Sequence, residues 1–415
     1  LEAVVPGRRV ALWSHDHHAL WVSPAALADA GVSASPPDPS GGLILRTDHG
    51  TPTGVLLETA CALVTAHVPP PDEARVETAI EALARELLGL GVVGVHDPGS
   101  LAADPELRRL DLLARLAARD GLPLRVVASI RDEGLTAVEE RGLRSGASFG
   151  TGHRLRLGWL KLFADGTLGS RTAALLEPIE AAATEEGIDP RGVFRSEPAE
   201  LAEWVRRAAT AGIATQIHAI GDAAVRAALD ALGPSAAEVS LMPRVEHVQL
   251  CHPDDRARFA ALGVAASVQP VHLRSDAAAA RRDWGPRAET AGYAWRSLLE
   301  AGAVLAFGTD APVEPIDPWP GIALAVLRLD PSWGEDAAAF GPDEALTLEE
   351  ALRAACVGPH LATRDALGGR LIPGSPADVI VLPAEPSSAE GNGGVALARV
   401  RPRLVLLDGE AVVDR

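Results

Sequence analysis

The chain has 415 residues, enough for one large α/β barrel with a small attachment or for two to three ordinary domains. A formal net charge of −18 and a pI near 5.1 argue against nucleic acid or an anionic membrane as partner, because either would need clustered positive charge. Three widely spaced cysteines give no disulfide framework, so we expect a reducing, cytoplasmic setting. A small molecule is the partner we expect, and a homodimer is compatible with these data.

The N-terminal part of the chain, residues 1–72, has short and mixed elements. Residues 10–14 predict a strand, residues 15–31 predict a helix, and residues 43–56 predict a hairpin. We interpret this segment as an insert that contributes to a substrate pocket.

From residue 73 the sequence alternates helices with short apolar strands, which is typical of a parallel α/β sheet. The predicted helices are 73–89, 105–120, 199–211, 222–232, 253–262 and 287–301. The predicted strands are 92–97, 122–130, 155–166, 213–222, 244–250, 263–270 and 303–313. They fall one short of the eight strands of a TIM-type (β/α)8 barrel, and the missing strand would be the first, before residue 92. We therefore assign residues 73–360 to the barrel and residues 361–415 to a small β unit.

Lys161 is the only lysine in the chain, and it lies near the end of the apolar run GWLKLF. A buried lysine amine can lose its proton and act as a nucleophile, a Schiff base or a carbamate, which arginine cannot do. At the C-terminal end of a parallel strand, Lys161 would lie where α/β barrels place catalytic groups. The alternative is a lysine that extends to the surface.

Three further polar residues stand at or after predicted strand ends: His218, His247 and Asp310. A single histidine on a buried strand is often a satisfied core residue, but several nitrogen and oxygen donors at one rim suit a divalent metal such as Zn²⁺. Lys161 fits such a site only as a carbamate, because an ammonium would repel the metal. Asp310 could bind metal and take a proton from activated water, which describes hydrolysis at a carbonyl carbon.

Several motifs, which follow one another in a fixed order along the chain, contain or surround these residues. The set is SHDHHALWVSPAALADAG, DHGTPTGVLLETA, KLFADGTLGSRTAAL, HAIGDAAV, RVEHVQL, FGTDAPVEP and GSPADVIVL. It resembles the amidohydrolase superfamily, and within it the YtcJ-type metal-dependent hydrolases related to N-substituted formamide deformylase. The resemblance implies a (β/α)8 barrel with a β-sandwich from both chain ends, of which mainly the C-terminal strands are present here. It also implies one or two ions, taken as zinc, held by carbamylated Lys161, His218, His247 and Asp310, with Asp310 as proton shuttle.

Two departures from the family pattern stand near the start of the chain. Ser23-Pro24 replaces the expected Asn, and the H-x-H pair of the first barrel strand is absent. His15 and His17 form a literal H-x-H, but their surroundings match the later D-x-H-x-x-W motif. We therefore expect the first strand and its ligands to be missing from this chain.

Other residues receive lesser roles. His272 is predicted to contact the substrate carbonyl or an oxyanion. His18 and Trp21 are predicted to line a pocket for an N-substituent. His96 is predicted to orient a metal ligand without binding the metal itself. The predicted reaction is metal-dependent hydrolysis of a non-peptide C–N bond, in an amide or N-formyl group. A cyclic amide or ester hydrolase, another metal-assisted reaction and a ligand-binding barrel without catalysis stay open as alternatives.

Overall fold

The architecture comes from a computed structural model that describes residues 1–15, 17–32, 37–69, 71–99, 103–119, 122–150, 154–179, 189–384 and 395–415. Its described strands form an antiparallel sheet near the N-terminus, a large parallel sheet in the middle and a small antiparallel sheet near the C-terminus. Every helix in the described ranges is too short or too polar to cross a bilayer.

The N-terminal sheet has the strand order β1-β2-β4-β3. Its unit contains β1 (Ala11–Trp13), β2 (Ala19–Val22), α1 (Pro24–Asp29), β3 (Gly42–Arg46), β4 (Pro52–Glu58) and α2 (Ala62–Thr65). The predicted hairpin is confirmed as β3 and β4. The predicted helix is wrong for residues 19–22, which pair in β2. The helix begins only at Pro24, because the Ser23 side chain caps its first turn and Pro suits the first helical position.

The middle of the chain alternates strands and helices as the apolar pattern predicts. Its strands are β5 (Gly94–Asp97), β6 (Arg125–Arg131), β7 (Ser148–Phe149), β8 (Leu155–Phe163), β9 (Thr215–Ala219), β10 (Arg244–His247), β11 (Ala265–Val268) and β12 (Leu305–Phe307). Its helices are α3 (Glu73–Gly89), α4 (Arg108–Arg119), α5 (Leu135–Arg141), α6 (Pro198–Thr210), α7 (Asp222–Leu232), α8 (Pro253–Leu262), α9 (Leu273–Trp284), α10 (Arg287–Thr290), α11 (Trp295–Glu300), α12 (Pro318–Leu327) and α13 (Leu348–Ala362).

The parallel strands follow the order β5-β6-β8-β9-β10-β11-β12, and β7 pairs antiparallel with β8. Every residue of β9, β10 and β11 is buried, as expected for strands covered on both faces. The sheet curls into an open barrel of the predicted TIM type. Because its strands are parallel, their carboxyl ends meet at one edge, which we call the carboxyl edge.

The two ends of this sheet are more exposed than its middle. In the described part of the chain, β5 and β12 each pair on one side only. Gly94 of β5 is exposed, and Phe307 of β12 is partly exposed. The first barrel strand that the sequence analysis predicts to be missing would lie between these two ends.

The C-terminal sheet joins β13 (Val379–Val381), β14 (Leu404–Leu407) and β15 (Glu410–Asp414), with the short helix α14 (Val395–Ala398) before β14. Arg125, at the start of β6, donates to Asp378 and Asp408. Arg154, just before β8, also donates to Asp408. These ion pairs hold the C-terminal sheet at the amino ends of the barrel strands, opposite the carboxyl edge.

Candidate metal centre

Five polar side chains come from successive strand ends at the carboxyl edge. Lys161 lies in β8, His218 in β9 and His247 at the end of β10, while His272 follows β11 and Asp310 follows β12. The lysine and the histidines are buried, whereas the Asp310 side chain is 30% exposed. The carboxylate is therefore the member of the set that a ligand from solvent reaches most easily.

His247, His272 and Asp310 form a group with the spacing of metal ligands. One ligand atom from each lies within 4.8 Å of the others. His272 Nε2 is 3.3 Å from Asp310 Oδ2. His247 Nδ1 is buried without a hydrogen-bond partner in the described part of the chain, which is costly unless another group binds it. Imidazole nitrogen and carboxylate oxygen are the ligands that Zn²⁺ takes, so the donor set fits a divalent cation.

The backbone turns sharply at two of these residues. The φ angle is 74° at His247 and 58° at Asp310, in the left-handed region that residues other than glycine rarely adopt. Such residues cost roughly 1–3 kcal/mol each and persist where the surrounding structure holds them. Both turns lie at the carboxyl edge, so the backbone strain is concentrated at two of the candidate ligands.

His272 and Asp310 influence each other's charge. Burial alone would lower the pKa of His272, but its hydrogen bonds with Asp310 and Glu314 raise it to about 10. Burial alone would raise the pKa of Asp310, but the hydrogen bond from His272 holds that pKa well below its usual range. The protonated imidazole therefore neutralises the carboxylate. A bound cation would replace it in that role, because a histidine that binds a metal is neutral.

Lys161 and His218 lie beside this group. The His218 and His247 rings have centroids 4.5 Å apart, and His218 Nε2 donates to the Gly166 carbonyl at 2.9 Å. Burial lowers the pKa of His218 well below its usual value and that of Lys161 to about 8. A lysine with that pKa is partly neutral near pH 7, and the neutral amine is the form that combines with CO₂.

Asp165 joins the segments that follow β8 and β9, the strands of Lys161 and His218. Its carboxylate accepts from the backbone N–H groups of Ala174, Ile220 and Gly221 and lies 3.5 Å from His218 Nε2. Burial raises the pKa of Asp165 to about 8, against the effect of those hydrogen bonds. Asp165 belongs to the motif KLFADG, but it was not predicted to be a site residue.

The N-terminal sheet places two buried residues, His18 and Glu58, beside the candidate metal centre. His18 Nδ1 is 2.7 Å from Glu58 Oε2, and the Thr172 hydroxyl donates to Glu58 Oε1 at 2.7 Å. The His18 ring stacks on His218, with centroids 5.1 Å apart, and contacts the edge of Phe163. His18 therefore lies beside the candidate metal centre, and its contact with an N-substituent stays a prediction. Glu58 was missed, although it ends the quoted segment PTGVLLE.

Other predicted residues lie apart from this group. Trp21 is 48% exposed on β2, while His96 accepts from Arg244 and its ring packs on Trp159. His17 follows the turn between β1 and β2 and stacks on Trp13, so the literal H-x-H belongs to a hairpin and not to a barrel strand. Asp16, between the two histidines, lies outside the described residues.

Comparisons with known proteins agree with this geometry. Residues 1–413 match the amidohydrolase family. The Bacillus subtilis protein YtcJ, named as an amidohydrolase, is 30% identical over 387 residues, which cover 93% of this chain and 71% of that protein. N-substituted formamide deformylase of Arthrobacter pascens is 28% identical and is matched over 93% of this chain and 70% of its own length. An uncharacterised metal-dependent hydrolase from Pyrococcus horikoshii superposes with a TM-score of 0.69 at 28% identity, over 91% of this chain and 71% of that one.

Proposed function

This chain belongs to the amidohydrolase family, and we propose that it hydrolyses a non-peptide C–N bond in an amide or N-formyl group. Family membership and the metal-dependent hydrolase that it resembles support metal-dependent hydrolysis in general. The N-formyl preference rests on the similarity to the Arthrobacter deformylase. The observation that carries the proposal is that one ligand atom from each of His247, His272 and Asp310 lies within 4.8 Å of the others.

We assign the metal ligands to Lys161, His218, His247 and Asp310, with zinc as the ion and Lys161 as a carbamate. His272 lies within reach of the same ion, so the ligand set includes it if the site holds a single metal near Asp310. A bound divalent ion would supply Lewis acidity, polarising the scissile carbonyl and lowering the pKa of water.

The chain's own residues carry the protons. The Asp310 carboxylate is partly exposed and stays ionised, so it can accept a proton from the attacking water and pass it to the leaving nitrogen. His272 Nε2 lies 3.3 Å from Asp310 Oδ2 and His272 Nδ1 lies 3.8 Å from Glu314 Oε1, so both ring nitrogens have carboxylate partners. In the role that we assign to His272, its Nε2–H would turn from Asp310 to the carbonyl oxygen of the substrate. His18, fixed by Glu58, contacts the N-substituent, and Trp21, exposed on β2, is the second residue that we assign to that pocket.

A substrate panel tests the bond type. The purified chain, loaded with zinc, is offered an N-substituted formamide, the matching acetamide and a lactone. We expect release of formate and amine from the formamide, and loss of that activity when a chelator removes the metal. Hydrolysis of the lactone alone would reassign the bond. Zinc binding without turnover of any of the three would favour the ligand-binding alternative.

A further inference from the structure

Glu314 is a buried carboxylate that lies beside His272 and has no part in the proposed proton transfers. Its side chain is 4% exposed, and Oε1 lies 3.8 Å from His272 Nδ1. On the other side of the ring, Asp310 Oδ2 lies 3.3 Å from Nε2. Asp310 and Glu314 belong to one turn, in which the Val313 N–H donates to the Asp310 carbonyl at 2.9 Å. One short loop therefore places a carboxylate at each nitrogen of the same imidazole.

The start of helix α9 fixes the position of the Glu314 carboxylate. The Ser275 hydroxyl donates to Oε1 at 3.3 Å, and Arg274 Nη2 donates to Oε2 at 3.2 Å. Both residues lie in the first turn of α9, which begins directly after His272. A negative charge at a helix N-terminus is favourable, because the first backbone N–H groups have no partner within the helix. The carboxylate is therefore held in place whether or not His272 binds it.

This geometry selects which nitrogen of His272 is available to a substrate. The Glu314 carboxylate, which is paired with Arg274, accepts hydrogen bonds only, so the ring nitrogen that faces it carries a proton. The 3.8 Å separation is long for a hydrogen bond, so the ring has room to approach Glu314 when Nε2 moves away from Asp310. A ring held at Nδ1 therefore keeps Nε2 on the side of Asp310, where the substrate would lie.

We propose that Glu314 is a positioning residue for His272: it binds Nδ1–H and directs Nε2–H from Asp310 toward the carbonyl oxygen of the substrate. This inference rests on the proposed hydrolysis of a C–N bond and on the role assigned to His272. A donor aimed at that oxygen acts mainly in the transition state, where negative charge develops on it. Loss of Glu314 should therefore lower kcat much more than it raises KM.

Two substitutions at this position test the proposal on the zinc-loaded chain with N-butylformamide as substrate. Glu314→Met keeps the length of the side chain but removes the acceptor, so we expect kcat to fall roughly 10–100-fold, the usual effect of losing a group that orients a site residue. KM should stay within about threefold of wild type, and the zinc content should not change. Glu314→Gln keeps an oxygen that can accept from Nδ1 and should recover most of the rate.

Glu344→Met is the matched control. Glu344 is also buried, and it accepts from the N–H and hydroxyl of Ser297 in the first turn of α11, as Glu314 accepts from Ser275 in the first turn of α9. Its partners belong to α11 and not to the candidate metal centre. We expect both Met variants to lose a similar amount of Tm, but only Glu314→Met to lose kcat. An equal fall of kcat in the two variants would overturn the proposal.

A double-mutant cycle shows whether Glu314 acts through His272. In the His272→Gln background, Glu314→Met should change kcat by less than about threefold, because the ring that it orients is already gone. The same fold loss in both backgrounds would assign Glu314 a structural role only. Loss of zinc in Glu314→Met would place His272 among the metal ligands, which would also overturn its direction toward the carbonyl.

Histidine-selective ¹H–¹⁵N spectra of the metal-free chain test the contact without turnover. We expect a signal from a protonated Nδ1 that is absent in His272→Gln and displaced in Glu314→Met. If no substrate is hydrolysed, the proposed function fails, while this pair of changes would still support the contact. A wild-type spectrum in which His272 carries no proton on Nδ1 would overturn the proposal even in an active enzyme.

Discussion

Lys161 is nearly completely buried, and its amine lies among groups of both charges. Burial lowers its pKa to about 8, although Glu246 and Asp310 act in the opposite direction. An ammonium beside a divalent cation would be repelled, whereas a carbamate would be attracted. In the proposed metal centre, Lys161 can therefore act as a ligand only as a carbamate.

The first prediction concerns that reversal. Lys161→Ala and Lys161→Arg should both lose zinc and at least about a thousandfold in kcat/KM, because neither side chain forms a carbamate. Added short-chain carboxylates should partly restore the Ala variant by entering the space that the lysine leaves. The measurements are metal content and initial rates. Wild-type turnover in the Arg variant would show that a positive charge is sufficient at this position.

The second prediction concerns proton transfer by Asp310. Asp310→Asn keeps the shape but removes the base, so we expect kcat to fall roughly 10²–10⁴-fold while the fold is retained. Asp317→Asn is the control, because Asp317 caps α12 and pairs with Arg401 outside the site. Activity within about tenfold of wild type in Asp310→Asn would move the base elsewhere, with His272 as the next candidate.

At the scale of elements, the site depends on contact between the N-terminal sheet and the barrel. Glu58 ends β4 with a φ of 53° and is buried against the loop after β8. Gly166 makes this approach feasible, since a Cβ there would overlap the Thr172 hydroxyl and Glu58 Oε1. The carbonyl of the same glycine accepts from His218. One small residue therefore lets two units meet beside a predicted metal ligand.

The third prediction tests this contact. Gly166→Ala should lower the free energy of unfolding by about 1–3 kcal/mol, the usual range for overpacking, and should reduce activity by displacing Glu58 and His18. Gly94→Ala is the matched control, because a Cβ at exposed Gly94 meets only ordinary contacts. Denaturant unfolding and initial rates are the measurements. Equal stability of the two variants would mean that the Glu58 loop adjusts freely.

Much of the barrel could be predicted because its elements carry local apolar patterns. The bounds of α7 and α8 match the predicted ranges residue for residue. The predicted helix 287–301 is wrong between α10 and α11, because Tyr293 adopts a φ of 50° and its N–H donates to Gln249. No helix was predicted for α5, α9, α12 or α13. The pairing of Glu58 with Thr172, 114 positions away, could not be predicted, since no local pattern records so distant a contact.

In the whole molecule, the two antiparallel sheets lie at opposite edges of the barrel. The N-terminal sheet supplies His18 and Glu58 at the carboxyl edge, and the C-terminal sheet is paired to Arg125 and Arg154 at the amino edge. A cavity of about 280 Å³ lined by α3, α4 and Arg154 lies on the amino side, away from the polar strand ends. This cavity is separate from the candidate site, which is identified by the convergence of metal-ligand atoms.

The last prediction follows from the strands that the candidate ligands join. His247, His272 and Asp310 follow or end β10, β11 and β12, so an ion held by them would connect three strands at the exposed end of the sheet. A ligand that binds only the folded chain stabilises it by about 2.7 kcal/mol at a hundred times its Kd. We therefore expect a chelator to lower Tm and added zinc to restore it, in a concentration-dependent way. His247→Ala should abolish most of this shift, whereas His67→Ala, at an exposed position after α2, should keep it. An equal zinc response in both variants would place the tightly bound ion away from His247.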